Sequence, residues 1–530
     1  MAGADTHKRV FKMEDVEVPE WMIKGNKFIK WDEESSTAMP VTLRIDQYGH
    51  FLYWKNQLKD TDCLELTSLR DARYGQYANV PKEGKLRESC NMGSPDTPLE
   101  EKTLTIMYGP DMVTYNTLNF CSNNEKITQE WADVILKISY HRSAQYPPPI
   151  KLLQKIYTKL TILVNKEGKI PLKSIKRMFS SAREDKKKVE NALQAAGIHI
   201  DKKDDTIAPN TFHFDDFFTF YTRLISQKEI DKVFQGLGAK NKPYLTTQQV
   251  ITFLNEDQRD PRLNEVLYPF YDAARAKELI SRFEPNKAFM RKGQLSVDGL
   301  LRYLLSDENS VVGPNAYLMC HDMEQPLAHY FINSSHNTYL TGHQLTGKSS
   351  VEMYRQVLLS GCRCVELDCW DGKTADEEPM ITHGFTMCTE VPFKEVIEAI
   401  KESAFKTTDF PVILSFENHC SQKQQAKMAS YCRAVFGDAL LIDPLEENKI
   451  ESGVPLPSPY ALRGKILVKN KKRKVIEGGK KRTVSTISNK PRRESQTLSP
   501  NVDGEAQLRM KESPSSSPRL AVRGEGALTP

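Results

Sequence analysis

The sequence predicts a multidomain chain of mixed class, α+β followed by α/β, in four consecutive parts. Its 530 residues are 39% hydrophobic and 27% charged, which is typical of folded domains, and the length allows several of them. Short alternating strands fill the first part, helical segments fill the second, and strands alternate with helices in the third. The fourth part lacks aromatic residues. The predicted boundaries are 12–145, 150–315, 320–473 and 474–530.

The first part, 12–145, reads as a small antiparallel sandwich or barrel. Its predicted strands are Lys27–Trp31, Val41–Ile45, His50–Trp54, Cys63–Leu66 and Leu104–Tyr108. One helix follows, over 128–139, because Trp131, Val134, Ile135 and Ile138 recur at helical spacing. A strand meander closed by a helix that carries a Trp resembles a pleckstrin-homology (PH) domain, which binds inositol lipids or proteins.

The second part, 150–315, contains stretches with the turn-then-aliphatic rhythm of an EF-hand loop. There are three: Gly168–Ile170, Pro243–Leu245 and Gly293–Leu295. A calcium loop needs oxygen ligands at positions 1, 3 and 5 and a bidentate Glu at position 12. With the aliphatic residue at position 8, positions 1 and 12 are taken by Leu163 and Ser174, Gly238 and Gln249, and Ala288 and Gly299. We therefore expect EF-hand-like helix pairs that bind no calcium.

The third part, 320–473, alternates strands with helices. The predicted strands are His329–Asn333, Cys362–Trp370, Pro379–His383, Val412–Glu417 and Lys465–Lys469. Two of the helices between them are Phe393–Phe405 and Gln424–Phe436. This βαβα order predicts a parallel sheet with crossover helices.

Four polar clusters lie at the C-terminal ends of predicted strands, the sheet edge where barrel enzymes hold their active sites. They are Ser334–Asn337, Val365–Asp368, Thr382–Gly384 and Ser415–Asn418. Glu366 and Asp368 are two apart, so both point to one side, where two buried carboxylates would repel each other without a cation. Asn337 and Glu417 can add oxygen ligands, which predicts a calcium or magnesium site.

Two histidines, His336 and His383, are expected on either side of this site, where they could move protons near neutral pH. Any one of these residues alone would more often be structural, but four clusters of complementary chemistry favour an active site. One side of the last predicted strand carries three lysines at alternate positions, Lys465, Lys469 and Lys471. They could bind phosphate groups, or they could simply be the basic end of a strand.

The net positive charge of the chain comes from its C-terminal tail. From Lys471 onward there are 14 Lys and Arg against 6 Asp and Glu, and the other 470 residues carry 60 against 63. Nucleic-acid binding by the body of the protein therefore gains no support. Residues 474–530 are predicted to be disordered. The runs Lys471–Lys474 and Lys480–Arg482 fit nuclear-localisation or anionic-membrane patches, or a solvated linker.

The sequence shows no apolar run long enough to span a membrane, and its first nine residues lack the apolar core of a secretory signal. We therefore expect a cytoplasmic protein with reduced cysteines.

The clusters closely resemble phosphoinositide-specific phospholipase C. The matching strings are His329–Leu340, Gly361–Trp370, Ile381–Gly384 and Leu414–His419. The preceding PH-like and EF-hand-like parts follow the domain order of that family, and Gln258–Glu265 resembles its beta type. The resemblance covers residues 10–475.

The resemblance implies a role for each site residue. The implied calcium ligands are Asn337, Glu366, Asp368 and Glu417. Glu366 would take the proton of the inositol 2-hydroxyl, and His336 would stabilise the pentacoordinate phosphorus. His383 would act as the acid towards diacylglycerol and then as the base for water. Lys469 and Lys471 would hold the ring phosphates.

The resemblance also implies a fold and a function. Residues 320–473 correspond to the first (X) half of a TIM-type (β/α) barrel. The expected reaction converts phosphatidylinositol 4,5-bisphosphate to inositol trisphosphate and diacylglycerol at a membrane surface, in signalling with heterotrimeric G-protein subunits or small GTPases. The alternative is a truncated, non-catalytic isoform that binds G proteins or membranes. The basic tail adds a nuclear fraction as a further expectation.

Overall fold

The computed structural model describes most of the chain up to Lys471. The described residues are 11–12, 17–91, 93, 96–144, 147–225, 228–310, 312, 318–319, 321–373, 376–445 and 451–471. The predicted disordered tail, 474–530, and both of its basic runs after Lys471 lie outside them. In the described residues, no helix is both long enough and apolar enough to cross a bilayer.

The first domain is a seven-stranded sheet closed by a long helix. The elements here are β1 (Phe11–Lys12), α1 (Glu20–Lys24), β2 (Asn26–Asp32), β3 (Thr37–Ile45), β4 (Phe51–Asn56), β5 (Thr61–Glu65), β6 (Leu69–Arg73), α2 (Gly84–Cys90), β7 (Thr103–Tyr108), β8 (Asn116–Cys121) and α3 (Glu125–Ala144). Antiparallel pairs build the sheet in the order β5-β4-β3-β2-β8-β7-β6. Helix α3 buries Trp131, Ile135 and Ile138 completely. The ring of Trp131 meets that of Phe28 edge-on, with centroids 5.8 Å apart.

Two strands of this sheet, β6 and β8, escaped prediction. In β6 the charged Asp71 and Arg73 point away from water into a contact described below, and a register shift lies between Leu69 and Asp71. β8 begins with the polar Asn116 and Thr117. Neither strand therefore shows the apolar–polar alternation from which a half-buried strand is predicted.

The second region consists of helices joined by two small antiparallel ladders. Its elements are α4 (Pro149–Ile162), β9 (Ile170–Pro171), α5 (Leu172–Phe179), α6 (Arg183–Ala195), β10 (Thr206–Ile207), α7 (Phe214–Leu224), α8 (Lys228–Phe234), β11 (Leu245–Thr246), α9 (Thr247–Thr252), α10 (Ala273–Phe283), α11 (Lys287–Arg291), β12 (Gln294–Leu295) and α12 (Val297–Leu304). β9 pairs with β10 and β11 pairs with β12. Two largely separate hydrophobic cores lie beneath these ladders.

The ladders show four EF-hand-like units rather than the three predicted. The three predicted aliphatic residues lie in β9, β11 and β12, and Ile207 in β10 supplies the fourth. The fourth unit was missed because Asp205 rather than glycine holds its left-handed turn, at φ 50°. Lys169 in the paired loop contacts Asp201 and Asp204 through its ammonium group, at 3.0 and 3.2 Å. That these loops bind no calcium stays a prediction.

The third region holds a five-stranded sheet flanked by helices. Its elements are β13 (Leu318–Met319), α13 (Glu352–Leu359), β14 (Cys364–Trp370), β15 (Met380–Ile381), β16 (Val391–Pro392), α14 (Phe393–Ser403), β17 (Val412–Asn418), α15 (Gln422–Phe436) and β18 (Ile466–Lys469). The order is β16-β15-β14-β17-β18, and β13 pairs instead with β1. β14, β17 and β18 are parallel neighbours. The mixed α+β and α/β class with a partial (β/α) barrel is thereby confirmed.

Two predicted strands of this region were wrong. Residues 329–333 form no strand, because the amides of Arg363 and Cys364 both donate to the carbonyl of Asn333. The contact stops at one bridge, between Ser334 and Cys364. The predicted strand 379–383 shrinks to β15, which runs antiparallel to β14. The described residues between β14 and β15, 371–373 and 376–379, form no helix, and β15 runs back along β14 instead of following a crossover.

A buried network of six charged side chains joins the first domain to the third region. Its members are Asp71, Arg73, Glu352, Arg355, Glu402 and Lys406. Arg73 on β6 contacts Glu352 on α13 at 2.6 Å, and Lys406 contacts Asp71 at 3.1 Å. The side chains of Asp71 and Glu402 are 0% and 1% exposed. Three acids thus face three bases, so the network is neutral and its carboxylates are paired.

Candidate metal centre and active site

Three carboxylates meet on one face of the β14–β17 pair. Glu366 and Asp368 are two residues apart on β14, so their side chains share a face. The parallel register sets Glu417 on β17 directly opposite Asp368. One oxygen of each carboxylate lies within 4.8 Å of the other two. The structure therefore brings together the three acids that the sequence analysis selected.

Asn337 joins the acids through an unusual backbone conformation. Its φ is 45°, in the left-handed region that asparagine tolerates better than most residues. Its backbone amide donates to Glu366 Oε2 at 2.7 Å, and its side-chain Nδ2 donates to Gln344 Oε1 at 2.7 Å. Its Oδ1 lies 3.2 Å from the hydroxyl of Tyr339, which donates to Asp368 Oδ2 at 2.6 Å. Asn337 thus lies in the same cluster, with its side-chain oxygen on the side of Asp368.

Asp368 is the least favourably placed of these charges. It is 6% exposed, and among the described residues its Oδ1 is buried with no hydrogen-bond partner. Burial raises the pKa of Asp368, and the charges of Glu366 and Glu417 raise it further. The hydroxyl of Tyr339 opposes this shift, and burial together with Asp368 raises the pKa of Tyr339 itself, so the tyrosine stays protonated.

These residues fit a hard divalent cation. The donor set is all oxygen, three carboxylates and an amide, which suits calcium or magnesium better than zinc or copper. The Oδ1 of Asp368 is a buried acceptor that no donor of the described residues satisfies. A cation would satisfy this oxygen and cancel the repulsion among the acids.

The two predicted histidines lie at this centre, with different surroundings. His336 is 78% exposed at its side chain, and its Nε2 lies 3.8 Å from Glu366 Oε2. His383 follows β15, and its Nδ1 lies 2.6 Å from the backbone oxygen of Gln344. A carbonyl only accepts, so Nδ1 of His383 carries a hydrogen and Nε2 is the atom left for proton transfer.

His383 reaches the centre by a route other than the predicted one. The sequence predicted this residue at the end of a strand parallel to β14, whereas β15 is antiparallel. Because the amide of Thr382 donates to the carbonyl of Asp368, β15 leads the chain back along β14. The next residue, His383, is thereby delivered to the acids.

The predicted lysines differ in how the structure places them. Lys469 on β18 lies in register with Ser415 on β17, which is in register with Glu366 on β14, so the three side chains form a row on the face of the acids. Lys469 Nζ lies 3.2 Å from Ser415 Oγ. Lys471 lies beyond β18 and is exposed, and Lys465 contacts the carbonyl of Asp438 instead.

Three further side chains contact this centre, and the sequence analysis gave them no role. Tyr339 and Gln344 bond to Asp368 and Asn337 as described above. His419 Nε2 lies 3.1 Å from Glu417 Oε1, and its ring stacks on Trp370 at 4.0 Å. All three lie in loops or past strand ends, where hydrophobic periodicity carries no signal.

Four families match consecutive parts of the chain. Residues 17–145 match a PH domain, and residues 153–225 match the EF-hand domain of the phosphoinositide phospholipase C beta1-4-like group. Residues 220–314 match the EF-hand-like region of phosphoinositide-specific phospholipase C. Residues 323–472 match the X domain of phosphatidylinositol-specific phospholipase C.

Similar proteins share about half of their aligned residues with this chain. A 1-phosphatidylinositol 4,5-bisphosphate phosphodiesterase beta-1 from Mus musculus is 51% identical over 95% of this chain and 41% of its own length. The classes I and II enzyme of Drosophila melanogaster is 51% identical over 83% of this chain and 33% of its own. The crystal structure of L. pealei PLC21 superposes with a TM-score of 0.81 at 45% identity, covering 87% of this chain and 59% of that one.

This chain thus spans well under half of the length of those two sequence relatives. The matched domains follow each other in one order, and the X domain coincides with the region that holds the acids and histidines. The chain therefore belongs to the phosphoinositide-specific phospholipase C family, beta type, and corresponds to the PH, EF-hand-like and X-domain portion of that family.

Proposed function

We propose that this chain carries the metal-binding and histidine half of a calcium-dependent phospholipase C. The reaction would cleave phosphatidylinositol 4,5-bisphosphate into inositol trisphosphate and diacylglycerol. The observation that carries the proposal is the cluster of three carboxylates within 4.8 Å of one another, in which the buried Oδ1 of Asp368 has no hydrogen-bond partner among the described residues. A purely structural cluster of acids would be stabilised by bases, as the interdomain network is.

The calcium would be held by four residues on three segments of the X region. They are Asn337, Glu366, Asp368 and Glu417. Bound there, calcium would lower the pKa of the inositol 2-hydroxyl and offset negative charge on the phosphate.

The chain's own residues would move the protons. In the first step Glu366 takes the proton of the 2-hydroxyl, whose oxygen forms a bond to phosphorus. The bond from phosphorus to the diacylglycerol oxygen breaks, and His383 gives that oxygen a proton from Nε2. His336 donates a hydrogen bond to the phosphate as its charge grows.

In the second step water opens the cyclic phosphate. His383 takes a proton from the water, whose oxygen bonds to phosphorus. The bond from phosphorus to the inositol 2-oxygen breaks, and Glu366 returns a proton to that oxygen. The same Nε2 thus serves as acid and then as base, and the bond from Nδ1 to the Gln344 carbonyl supports this assignment.

Lys469 and Lys471 would bind the ring phosphates of the lipid head group. The row of Glu366, Ser415 and Lys469 across three strands supports this role for Lys469, since its ammonium shares a face with the acids. Lys471 is exposed just after this strand and carries the second positive charge.

Exposed apolar side chains beside the site support action at a membrane surface. Phe385 and Met387, just after His383, are 97% and 80% exposed, and Leu345 beside Gln344 is 58% exposed. The amide of Met387 donates to the carbonyl of Leu345, so the two loops lie together. Apolar tips next to a lipid-cleaving centre suit a protein that docks peripherally on a bilayer.

Heterotrimeric G-protein subunits or small GTPases are the proposed protein partners, as the beta-type resemblance implies. A segment of the EF-hand-like region supports a protein contact, because its apolar residues face solvent. Val266 and Leu267 are 87% and 76% exposed. Replacing both with Ser in the full chain should weaken capture by immobilised G-protein subunits, and unchanged capture would place the contact elsewhere.

The boundaries 12–145, 150–315, 320–473 and 474–530 are retained as proposed domains. A cytoplasmic location with a nuclear fraction is likewise proposed. The tail is tested by fusing residues 470–530 to a reporter, since nuclear accumulation supports a targeting signal and diffuse fluorescence rejects it.

The proposed reaction is tested with the full chain on mixed vesicles that contain phosphatidylinositol 4,5-bisphosphate. Release of inositol trisphosphate is followed in calcium and in a chelator, for the wild type, Asp368→Asn and His383→Ala. The matched controls are Asp443→Asn and His199→Ala, which alter exposed residues outside the site. Calcium binding is measured in parallel by isothermal titration calorimetry.

Calcium-dependent release that both site variants abolish supports the enzyme. Calcium binding without release, in the wild type, favours the alternative of a non-catalytic binding module. A wild-type chain that binds no calcium would reject the metal centre itself.

A further inference from the structure

One loop residue contacts both halves of the proposed catalytic apparatus. Gln344 accepts a hydrogen bond from Asn337 Nδ2 at its side-chain oxygen, 2.7 Å away. Its backbone oxygen lies 2.6 Å from Nδ1 of His383. We infer that Gln344 is a positioning residue that orients Asn337 for the cation and His383 for proton transfer. This inference rests on the proposed function.

The side chain of Gln344 decides which atom of the Asn337 amide faces the acids. With the Gln344 oxygen turned to Asn337, the asparagine must present its NH2 group there, and its own oxygen then lies towards Tyr339 and Asp368. If Gln344 presented its NH2 group instead, the asparagine oxygen would turn away from the acids. Only the first arrangement offers the cation an oxygen ligand.

Burial makes Asn337 depend on this partner. Asn337 is 5% exposed, so few water molecules can replace a lost acceptor at its Nδ2. Gln344 itself is exposed, which leaves room for one water molecule to take over part of its role. Loss of an outer partner of a metal ligand typically weakens metal affinity about 10- to 100-fold, and we expect the lower end here.

The backbone of Gln344 acts separately from its side chain. The hydrogen bond to His383 uses the main-chain carbonyl, so substitution of the side chain leaves it in place. The neighbouring bond from the amide of Met387 to the carbonyl of Leu345 also holds the two loops together. Side-chain variants therefore report on Asn337 alone.

Two substitutions of Gln344 distinguish the effect of its hydrogen-bond acceptor from the effect of its side-chain volume. Gln344→Leu keeps a similar volume but removes the acceptor. Gln344→Glu presents only acceptor oxygens and so fixes Asn337 in the orientation that binds a cation. The matched control, Gln422→Leu, replaces an exposed glutamine at the start of α15.

The full chain is titrated with calcium chloride by isothermal titration calorimetry, and thermal unfolding is recorded in chelator. We expect Gln344→Leu to bind calcium about 10-fold more weakly, at an unchanged unfolding temperature. Gln344→Glu and Gln422→Leu should bind within about twofold of the wild type, or more tightly for the glutamate.

Equal affinity in Gln344→Leu and the wild type would overturn the inference while leaving the proposed function intact. So would a weaker affinity accompanied by a lower unfolding temperature, or binding by Gln344→Glu as weak as that of Gln344→Leu, since either would indicate a structural role. A wild-type chain that binds no calcium would instead reject the proposed function.

Discussion

Replacing Asp368 with Asn should stabilise the metal-free protein while abolishing calcium binding. Two unit charges 4.8 Å apart repel by about 3.5 kcal/mol at an effective dielectric constant near 20. Asp368 faces two such neighbours, of which Glu417 is 51% exposed at its side chain and therefore largely screened by water. The amide keeps an acceptor for Tyr339 and adds a donor near the remaining acids.

After screening, we expect a gain of about 2 kcal/mol, which corresponds to a rise of about 4–8 °C in the unfolding temperature of a domain of this size. The measurement is differential scanning calorimetry in chelator, with Asp443→Asn as the control. Unfolding of the X region at an unchanged or lower temperature would refute the view that the acids repel each other. Calcium affinity equal to that of the wild type would refute the assignment of Asp368 as a ligand.

The carboxylate of Asp368 should also make the stability of the folded protein depend on pH. Burial raises the pKa of Asp368 above 3.8 in the folded state, so the folded chain holds this proton more tightly than the unfolded chain. The contribution of Asp368 to stability therefore falls as pH rises from the ordinary aspartate range through the raised pKa. The advantage of Asp368→Asn should grow over that interval and vanish below it. An advantage that is constant with pH would contradict the charge argument.

Three further outcomes are expected. His383→Ala should lower inositol trisphosphate release by at least about 100-fold and leave calcium affinity within twofold, by vesicle assay and calorimetry; a weaker affinity would make His383 structural. Arg73→Ala should cost about 3–5 kcal/mol in unfolding experiments, because Asp71 and Glu352 lose a buried partner, and a neutral effect would show that the network relaxes. Lys469→Ala should raise the lipid concentration needed for half-maximal release at an unchanged maximal rate; a lower maximal rate instead would contradict head-group binding.

Most of what could be predicted about the metal centre followed from one rule, that alternate residues of a β-strand point to the same face of the sheet. Glu366 and Asp368 are two apart, and that spacing alone puts both on one face of any strand. Glu417 lies on the same face because β17 pairs with β14 in parallel register, which the βαβα order predicted. The face to which side chains point on a strand and on its parallel neighbour can thus be predicted from the sequence.

Contacts made by loop residues could not be predicted from the sequence. Gln344 meets Asn337 and His383 through a loop that has no periodic pattern, and Tyr339 reaches Asp368 from a turn. Such contacts depend on where the loop lies after the sheet has formed. For the same reason His383 was predicted after a parallel strand, whereas the chain turns back along β14.

Contacts between residues far apart in the chain also explain why some strands were predicted wrongly. The charged residues of β6 gave no strand pattern because their partners, on α13, on α14 and just after α14, lie 279 or more positions away along the chain. The strand predicted at 329–333 failed for the opposite reason. Its apolar residues suggested a strand, but its backbone makes only one bridge.

The six-charge network has a practical consequence for dividing the chain. A fragment that starts at residue 320 keeps Glu352 and Glu402 but loses Arg73, so two acids that were shielded face each other with fewer cations. A fragment that ends at residue 145 exposes Asp71 in the same way. Isolated pieces would therefore present surfaces that the intact protein never shows, and affinities measured on them would describe those surfaces. Partner mapping on this protein is better done by point substitution than by dissection.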